Sequence, residues 1–113
     1  GQLRLMIESP QKEVVGIIDL FNFEPFHHRA EVGIVIAASY RQKGIGQLAL
    51  QLLVEHCFDF IGIHQLYAHI DVTNEASIRL FKKCGFEQCG YLKEWMRTGK
   101  NYRDVVIVQC LNS

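Results

Sequence analysis

The chain has 113 residues, room for one hydrophobic core but not for two, so residues 1–113 read as a single domain. Its composition is 49% hydrophobic and 21% charged, and 12 lysines and arginines balance 12 aspartates and glutamates to a net charge of zero, so no global field draws it to nucleic acid or to an anionic membrane. No apolar run approaches the span of a bilayer, and the polar opening Gly1-Gln2-Leu3-Arg4 lacks the features of a signal peptide, so a cytoplasmic home is expected.

Residues 3–7 alternate and are apolar, Ser9-Pro10-Gln11-Lys12 is turn material, and residues 14–23 are a second apolar run, so the opening reads as a hairpin. Glu24-Pro25-Phe26-His27-His28 interrupts the pattern before a third strand over residues 30–36. Three successive strands with short connections imply antiparallel pairing.

Arg41-Gln42-Lys43-Gly44-Ile45-Gly46 comes next. Two glycines at a helix start let backbone N–H groups approach an anion, while the helix dipole and flanking cations favour negative charge there, which makes this segment a phosphate cradle. A nucleoside-triphosphate loop needs a lysine and a hydroxyl after its last glycine, and Gly46 is followed by Gln47 and Leu48. A dinucleotide fingerprint fits the letters of Gly44-Ile45-Gly46-Gln47-Leu48-Ala49, with Asp71 as the ribose partner, but its first glycine should follow the strand directly. Several residues separate Ile36 from Gly44, a gap that a coenzyme A pyrophosphate loop tolerates.

Beyond the glycines, Ile45, Leu48, Ala49, Leu52, Leu53, His56, Cys57 and Phe60 recur at helical spacing, which predicts one apolar face with His56 as a core residue on it. Residues 65–71 form a short strand, and Asn74 caps a second helix with Glu75 in its first turn and Lys82 and Lys83 in its last. Gly85 closes that helix, with Phe81 and Phe86 at the spacing of the accompanying apolar contact. Residues 86–96 and 102–111 form a closing hairpin around Thr98-Gly99-Lys100-Asn101. The order β-β-β-α-β-α-β-β is an α/β sheet mixed in direction, whereas a doubly wound dinucleotide fold alternates strand and helix throughout. Phe21, Phe23, Phe26, Phe58, Phe60, Tyr67 and Trp95 fall mostly at strand or helix-face positions and read as core. Cys57, Cys84, Cys89 and Cys110 show no C-x-x-C pair and no matching histidine cluster, so no metal site is expected and the thiols read as buried and reduced.

Two motifs in this order, Arg41-x-x-Gly44-x-Gly46 and the run Asn74-Glu75-Ala76-Ser77-Ile78-Arg79-Leu80-Phe81-Lys82-Lys83-Cys84-Gly85-Phe86, resemble the GNAT-type N-acetyltransferases, which move acetyl from acetyl-coenzyme A to an amine. The resemblance covers essentially the whole chain. From His28-Arg29-Ala30-Glu31 through Thr98-Gly99-Lys100-Asn101-Tyr102-Arg103-Asp104 it is most similar to the spermidine and diamine acetyltransferases, with ribosomal-protein N-terminal acetyltransferases as near relatives. It implies an α+β fold: a mixed, mostly antiparallel sheet with a splayed central pair, the third strand parallel to residues 65–71, and two flanking helices. It also implies acetyl-coenzyme A as co-substrate and direct attack by a primary amine, either a polyamine or diamine or a protein N-terminus.

By position, the resemblance implies that Ile34, Val35 and Ile36 pair with the pantetheine arm like an extra strand. Arg41, Gln42, Lys43, Gly44, Ile45 and Gly46 would hold the pyrophosphate, Asn74 and Phe81 would meet the arm, and Lys83 lies where the adenosine phosphate passes. Many members carry a tyrosine that protonates the departing thiolate where this chain has Phe81; Ser77, one turn earlier, offers a hydroxyl, with helix capping as its other role. The family begins with a strand and two helices that build the acceptor wall, and nothing here corresponds to them. The chain therefore reads as N-terminally truncated, or as one whose site another subunit of a homo-oligomer completes.

An acceptor amine is protonated near neutral pH and must lose a proton before it attacks. Glu31, at the start of the splayed strand, is the candidate base, acting directly or through one water; a purely structural carboxylate is the alternative. His28 is the runner-up, while His27 reads as a loop histidine and His64 and His69 carry no assignment. Asp19, Glu24, Glu31 and Asp71 would make an acidic wall for a polyamine, although Asn22 is uncharged where spermidine enzymes usually carry an acid. Arg79, Lys82 and Lys83 form a basic patch that suits either a solvated helix end or a phosphate contact. Two further readings are a coenzyme A binding module without turnover, motivated by Phe81 and the missing opening helices, and a dinucleotide-binding fragment.

Overall fold

The computed structural model describes residues 2–40 and 44–112. Strands β1 (Leu3–Glu8), β2 (Val14–Glu24) and β3 (Arg29–Ile36) are followed by helix α1 (Ile45–His56), strand β4 (Gln65–Asp71), helix α2 (Glu75–Lys83) and the hairpin of β5 (Glu87–Thr98) and β6 (Asn101–Leu111). This is the β-β-β-α-β-α-β-β order read from the sequence. The six strands form one sheet in the order β1-β2-β3-β4-β6-β5. All neighbouring pairs are antiparallel except β3 and β4, which run parallel.

Alternation along the strands explains the core. Ile18 and Leu20 of β2, Ala30 and Val32 of β3, Leu66, Ala68 and Ile70 of β4, and Val106 and Val108 of β6 are buried in one cluster with Leu50 and Leu53 of α1 and Phe81 of α2. Both helices therefore cover the same face of the sheet. Asp19, Phe21, Glu31, Tyr67, His69 and Asp71, at the intervening positions, point to the other face, which no helix covers among the described residues.

Helix α2 is built at both ends by local chemistry. The Asn74 side chain accepts the Ser77 N–H at 3.1 Å, satisfying a donor the first turn leaves open. At the other end Gly85 sits at φ 93°, its N–H donates to the Lys82 carbonyl at 3.2 Å and the Phe86 N–H to the Phe81 carbonyl at 3.0 Å. The Phe81 and Phe86 rings meet edge to face at 4.9 Å. This is the left-handed closure with apolar contact that the sequence implied.

Three expectations need correction. In α1 the buried residues are Leu50 and Leu53, continued by Cys57, while Leu48 is 59% and Leu52 56% exposed. Gly46 faces Ile36 and Leu80, and this close approach rotates the buried stripe from the positions read by periodicity alone. His56 is consequently exposed and stacks on Phe60, at 5.4 Å, in the π-turn Cys57–Ile61 that ends the helix. Phe23, Phe26, Phe60 and Trp95 are exposed, because they lie in the β2–β3 turn region, beyond the helix stripe, or on the uncovered face. Cys57 is buried and Cys89 exposed, with Cys84 and Cys110 between.

Candidate active site

Strands β3 and β4 pair only at Arg29↔Gln65, Ala30↔Leu66 and Glu31↔Tyr67. Beyond that point β2 still holds β3 as far as Ile36, and β6 still holds β4 as far as Asp71. Each strand follows its own outer partner, and the sheet opens in a wedge. The β4-facing backbone groups of residues 32–35 have no strand partner among the described residues, a row of polar groups ready to receive an extended ligand.

A cavity of about 380 Å³ fills the wedge and reaches both faces of the sheet, touching Ser77 and Phe81 on the helix side and Asp19 and His69 on the other. It shares Ile34, Val35, Asn74 and Ser77 with a larger cleft of about 970 Å³ that runs to the start of α1 and to Lys83.

At the head of that cleft Gly44 is the N-cap of α1, at φ 79°, with no side-chain cap and nothing within 4 Å of where a Cβ would sit. A residue with a Cβ would be strained there by ~1–2 kcal/mol. The Leu48 N–H donates to the Gly44 carbonyl at 3.0 Å as the first bond of the helix, which leaves the N–H groups of Ile45, Gly46 and Gln47 without an intrahelical partner. Arg41, Gln42 and Lys43 lie outside the described residues. The first glycine is separated from β3 by the 3-10 turn Ala38–Tyr40, so the dinucleotide reading fails here as it does on strand order.

The donor set suits a diphosphate with an extended amide arm. It combines orphan amides at a helix start, an open strand edge leading away from them, and the exposed cation Lys83 at the far rim. Ser77 gives its backbone N–H to Asn74 and turns its residue to both cavities. Phe81 lines the wedge but is 2% exposed and locked against Phe86, so a tyrosine's position is taken by a core ring.

Glu31 is buried at 8% exposure, on the uncovered face at the last paired position before the wedge. Asn22 Nδ2 donates to its Oε1 at 3.0 Å, and His69 Nδ1 lies 2.7 Å from its Oε2. Asn22 reaches it from an irregularity in β2, at φ 52°, where pairing with β3 skips between Phe21 and Glu24. Nothing in the sequence reading assigns His69 a role. The imidazole stacks on Trp95 with centroids 6.5 Å apart and planes 11° from parallel, and the Tyr67 ring meets its edge at 6.0 Å. Trp95 is aimed by a bulge in β5 between Leu92 and Met96, in which Glu94 has φ 51° and donates its N–H to Asp104 Oδ1 at 2.8 Å. The Tyr91 hydroxyl donates to the other Asp104 oxygen. Burial first, then the negative charge of Glu31, pushes the Tyr67 phenol up. His28, the alternative base, is exposed in the β2–β3 turn, where its carbonyl accepts the N–H groups of His64 and Gln65.

The acidic wall is largely paired. Arg4 donates to both oxygens of Asp19 at 2.8 and 3.0 Å, and this bond holds the Asp19 carboxyl below its ordinary range. Asp71 is held low chiefly by the Thr73 N–H, at 2.9 Å, then by the Thr73 hydroxyl and by Arg103 at 3.1 Å. Glu24 lies 4.0 Å from Arg29. Arg79 stands 3.9 Å from Glu75 along α2, the solvated pairing of an exposed helix face.

Residues 1–87 match the family described as Acetyltransferase (GNAT) domain. Over 113 residues the chain is 29% identical to a spermidine N(1)-acetyltransferase of Vibrio cholerae, covering 100% of this chain and 65% of that protein. It is 30% identical to a spermidine N(1)-acetyltransferase of Escherichia coli strain K12 over 106 residues, 94% of this chain and 56% of that protein. A structure described as the dodecameric spermidine N-acetyltransferase from Vibrio cholerae superposes with a TM-score of 0.91 at 28% identity, covering 99% of this chain and 66% of that one. The chain thus spans less than two thirds of the length of these curated relatives.

Proposed function

The chain belongs to the GNAT acetyltransferase family, and on that premise we propose that it transfers acetyl from acetyl-coenzyme A to a primary amine. The observation that carries this reading is the parting of β3 and β4 after three residue pairs, beside a helix start whose first amides have no partner within the helix and no side-chain cap. Acetyl-coenzyme A supplies an activated acetyl thioester. The N–H groups following Gly44, with Arg41, Gln42 and Lys43, hold its diphosphate, and the stretch Ile34, Val35 and Ile36 aligns its arm along β3. Asn74 keeps its Nδ2 for that arm while its Oδ1 caps α2, Phe81 walls the wedge, and Lys83 lies at the adenosine end.

Glu31 is the carboxylate that drives loss of the proton from the acceptor, and Ser77, which lines both cavities, is the hydroxyl that returns a proton to the departing thiolate, since Phe81 has none. A polyamine is the acceptor we favour, because the named relatives are spermidine acetyltransferases; a protein N-terminus is the other candidate. Assembly of several copies belongs to the same reading, and light scattering on the purified chain tests it.

The direct test is mass spectrometry of products after incubation with acetyl-coenzyme A and a mixture of polyamines and short peptides. An acetylated polyamine is the expected outcome. Saturable binding of coenzyme A without any acetylated product would replace transfer by a binding module, and absence of binding would overturn the whole reading.

A further inference from the structure

We propose that the imidazole of His69, and not the Glu31 carboxylate itself, accepts the proton that the acceptor amine must lose; this rests on the acetyltransferase reading above. Both oxygens of Glu31 are engaged, one by Asn22 and one by His69, and only 11% of its side-chain surface is exposed. The His69 side chain is 29% exposed, and the residue lines the wedge cavity. An ionised carboxylate can only accept, so the nitrogen 2.7 Å from it must carry the hydrogen. In the neutral ring the lone pair is therefore on Nε2, which has no hydrogen-bond partner among the described residues.

This arrangement is a carboxylate that fixes the tautomer of a histidine at the wall of the cavity, leaving its other nitrogen for the acceptor. Trp95 against its face and Tyr67 against its edge fix the plane of the ring. The other charged groups at this cavity are already paired, Asp19 with Arg4 and Asp71 with Arg103. Across from His69 in the register, β6 presents the uncharged Ile107. Among the described residues Glu31 is thus the one carboxylate bonded to the ring. In the step itself an ammonium N–H bond breaks and an Nε2–H bond forms. The positive charge moves from the amine to the imidazolium, where Glu31 neutralises it, and the amine keeps the electron pair that attacks. The proton then leaves Nε2 to solvent. Glu31 is the positioning residue and His69 the catalytic one.

The experiment compares the wild-type chain with His69→Gln, His69→Ala and Glu31→Gln, using spermidine as acceptor probe, across pH 5.5 to 9. His69→Gln, which keeps a donor for Glu31 but has no basic nitrogen, is expected to lower kcat on the order of 10²-fold and to remove the fall in rate on the acid side of neutrality. Its KM for acetyl-coenzyme A should stay within about twofold, since the ring does not touch the diphosphate end. Added imidazole should restore part of the rate of His69→Ala. A His69→Gln chain with kcat within about threefold of wild type and the same acid limb overturns the proposal, leaving transfer itself intact. A wild type that acetylates no amine sinks transfer and proton acceptor together. Nitrogen-15 NMR of the unmutated chain provides a readout independent of turnover and of variant folding. A neutral His69 ring carrying its hydrogen on Nδ1, with that signal shifted in Glu31→Gln, is expected. A ring protonated on Nε2 alone would end the proposal.

Discussion

Replacing Gly16 with alanine tests whether the register of β2 against β3 is as close as described. A Cβ there would lie 2.7 Å from the Val35 carbonyl oxygen, 2.8 Å from Ile36 Cδ1 and 3.2 Å from Ile7 Cδ1. Carbon atoms are comfortable at about 3.5–4.0 Å, and although the isoleucine tips can rotate away, the carbonyl is backbone and moves only if the strands separate. Overpacking of this kind costs about 1–3 kcal/mol, offset by the ~0.4–1 kcal/mol that a Gly-to-Ala change gains through the unfolded chain. The net expectation is a loss of about 1–2 kcal/mol, or a fall in Tm of roughly 4–8 °C. Gly33→Ala is the internal control. It lies on the adjoining strand, and its Cβ would meet only Phe21 Cε1, at 3.5 Å, so it should be neutral or gain up to ~1 kcal/mol. Urea denaturation of the three chains, with unchanged m-values, decides the matter. Equal midpoints for Gly16→Ala and Gly33→Ala would refute the packing argument.

Asn74→Ala removes a helix cap and should lower stability by ~1 kcal/mol, whereas Ser77→Ala leaves that bond in place and should lower kcat with little change in thermal midpoint; a larger Tm loss from Ser77→Ala would mean its hydroxyl is structural. Cys57 is fully buried and burial pushes its thiol up to about 11, while Cys89 is exposed. A chromogenic disulfide reagent should therefore label Cys89 rapidly and Cys57 only at the rate of global unfolding. Asp71 is held below the ordinary carboxylate range, so the stability it contributes is present above about pH 4 and lost as pH falls through its folded-state value. The Tm difference between wild type and Asp71→Asn should shrink on acidification from pH 6 to pH 2, and a difference independent of pH would contradict the assigned cause.

What could be read from the sequence was what depends on near neighbours. The Asn74 cap, the Gly85 closure and the Phe81–Phe86 contact follow from spacings of a few residues, and the structure has each of them. The order of elements followed from the apolar runs and turn residues, while the parallel β3–β4 pair came through the family resemblance, which also pointed to the wedge. The face of α1 was misread because its phase is set by Gly46 packing on Ile36 and Leu80, a tertiary contact invisible to periodicity. Glu31 was named as a candidate from the sequence, but the side chain that bonds it was not. His69 is 38 residues away, and the pair meets only because Glu31 lies opposite Tyr67 in the last rung before the strands part. The signal that could have flagged it was the alternation in β4, where Tyr67, His69 and Asp71 stand opposite the buried Leu66, Ala68 and Ile70. Trp95 was hidden for a different reason, since the bulge that aims it shifts the register of β5.

Among the described residues the strand ladder tying β1, β2 and β3 to β4, β6 and β5 has only three rungs, beside which the His28 carbonyl accepts the His64 and Gln65 N–H groups. The sheet is in effect two leaves on a short hinge at its Arg29–Glu31 end, and side chains shared between α1 on one leaf and α2 on the other hold the free ends at their angle. Resistance to spreading thus falls to close-packed, weakly compressible hydrocarbon more than to a ladder of directional bonds. Any extended ligand entering the gap would meet a clamp whose stiffness is set by how Leu50, Leu53 and Phe81 fill the interior behind it.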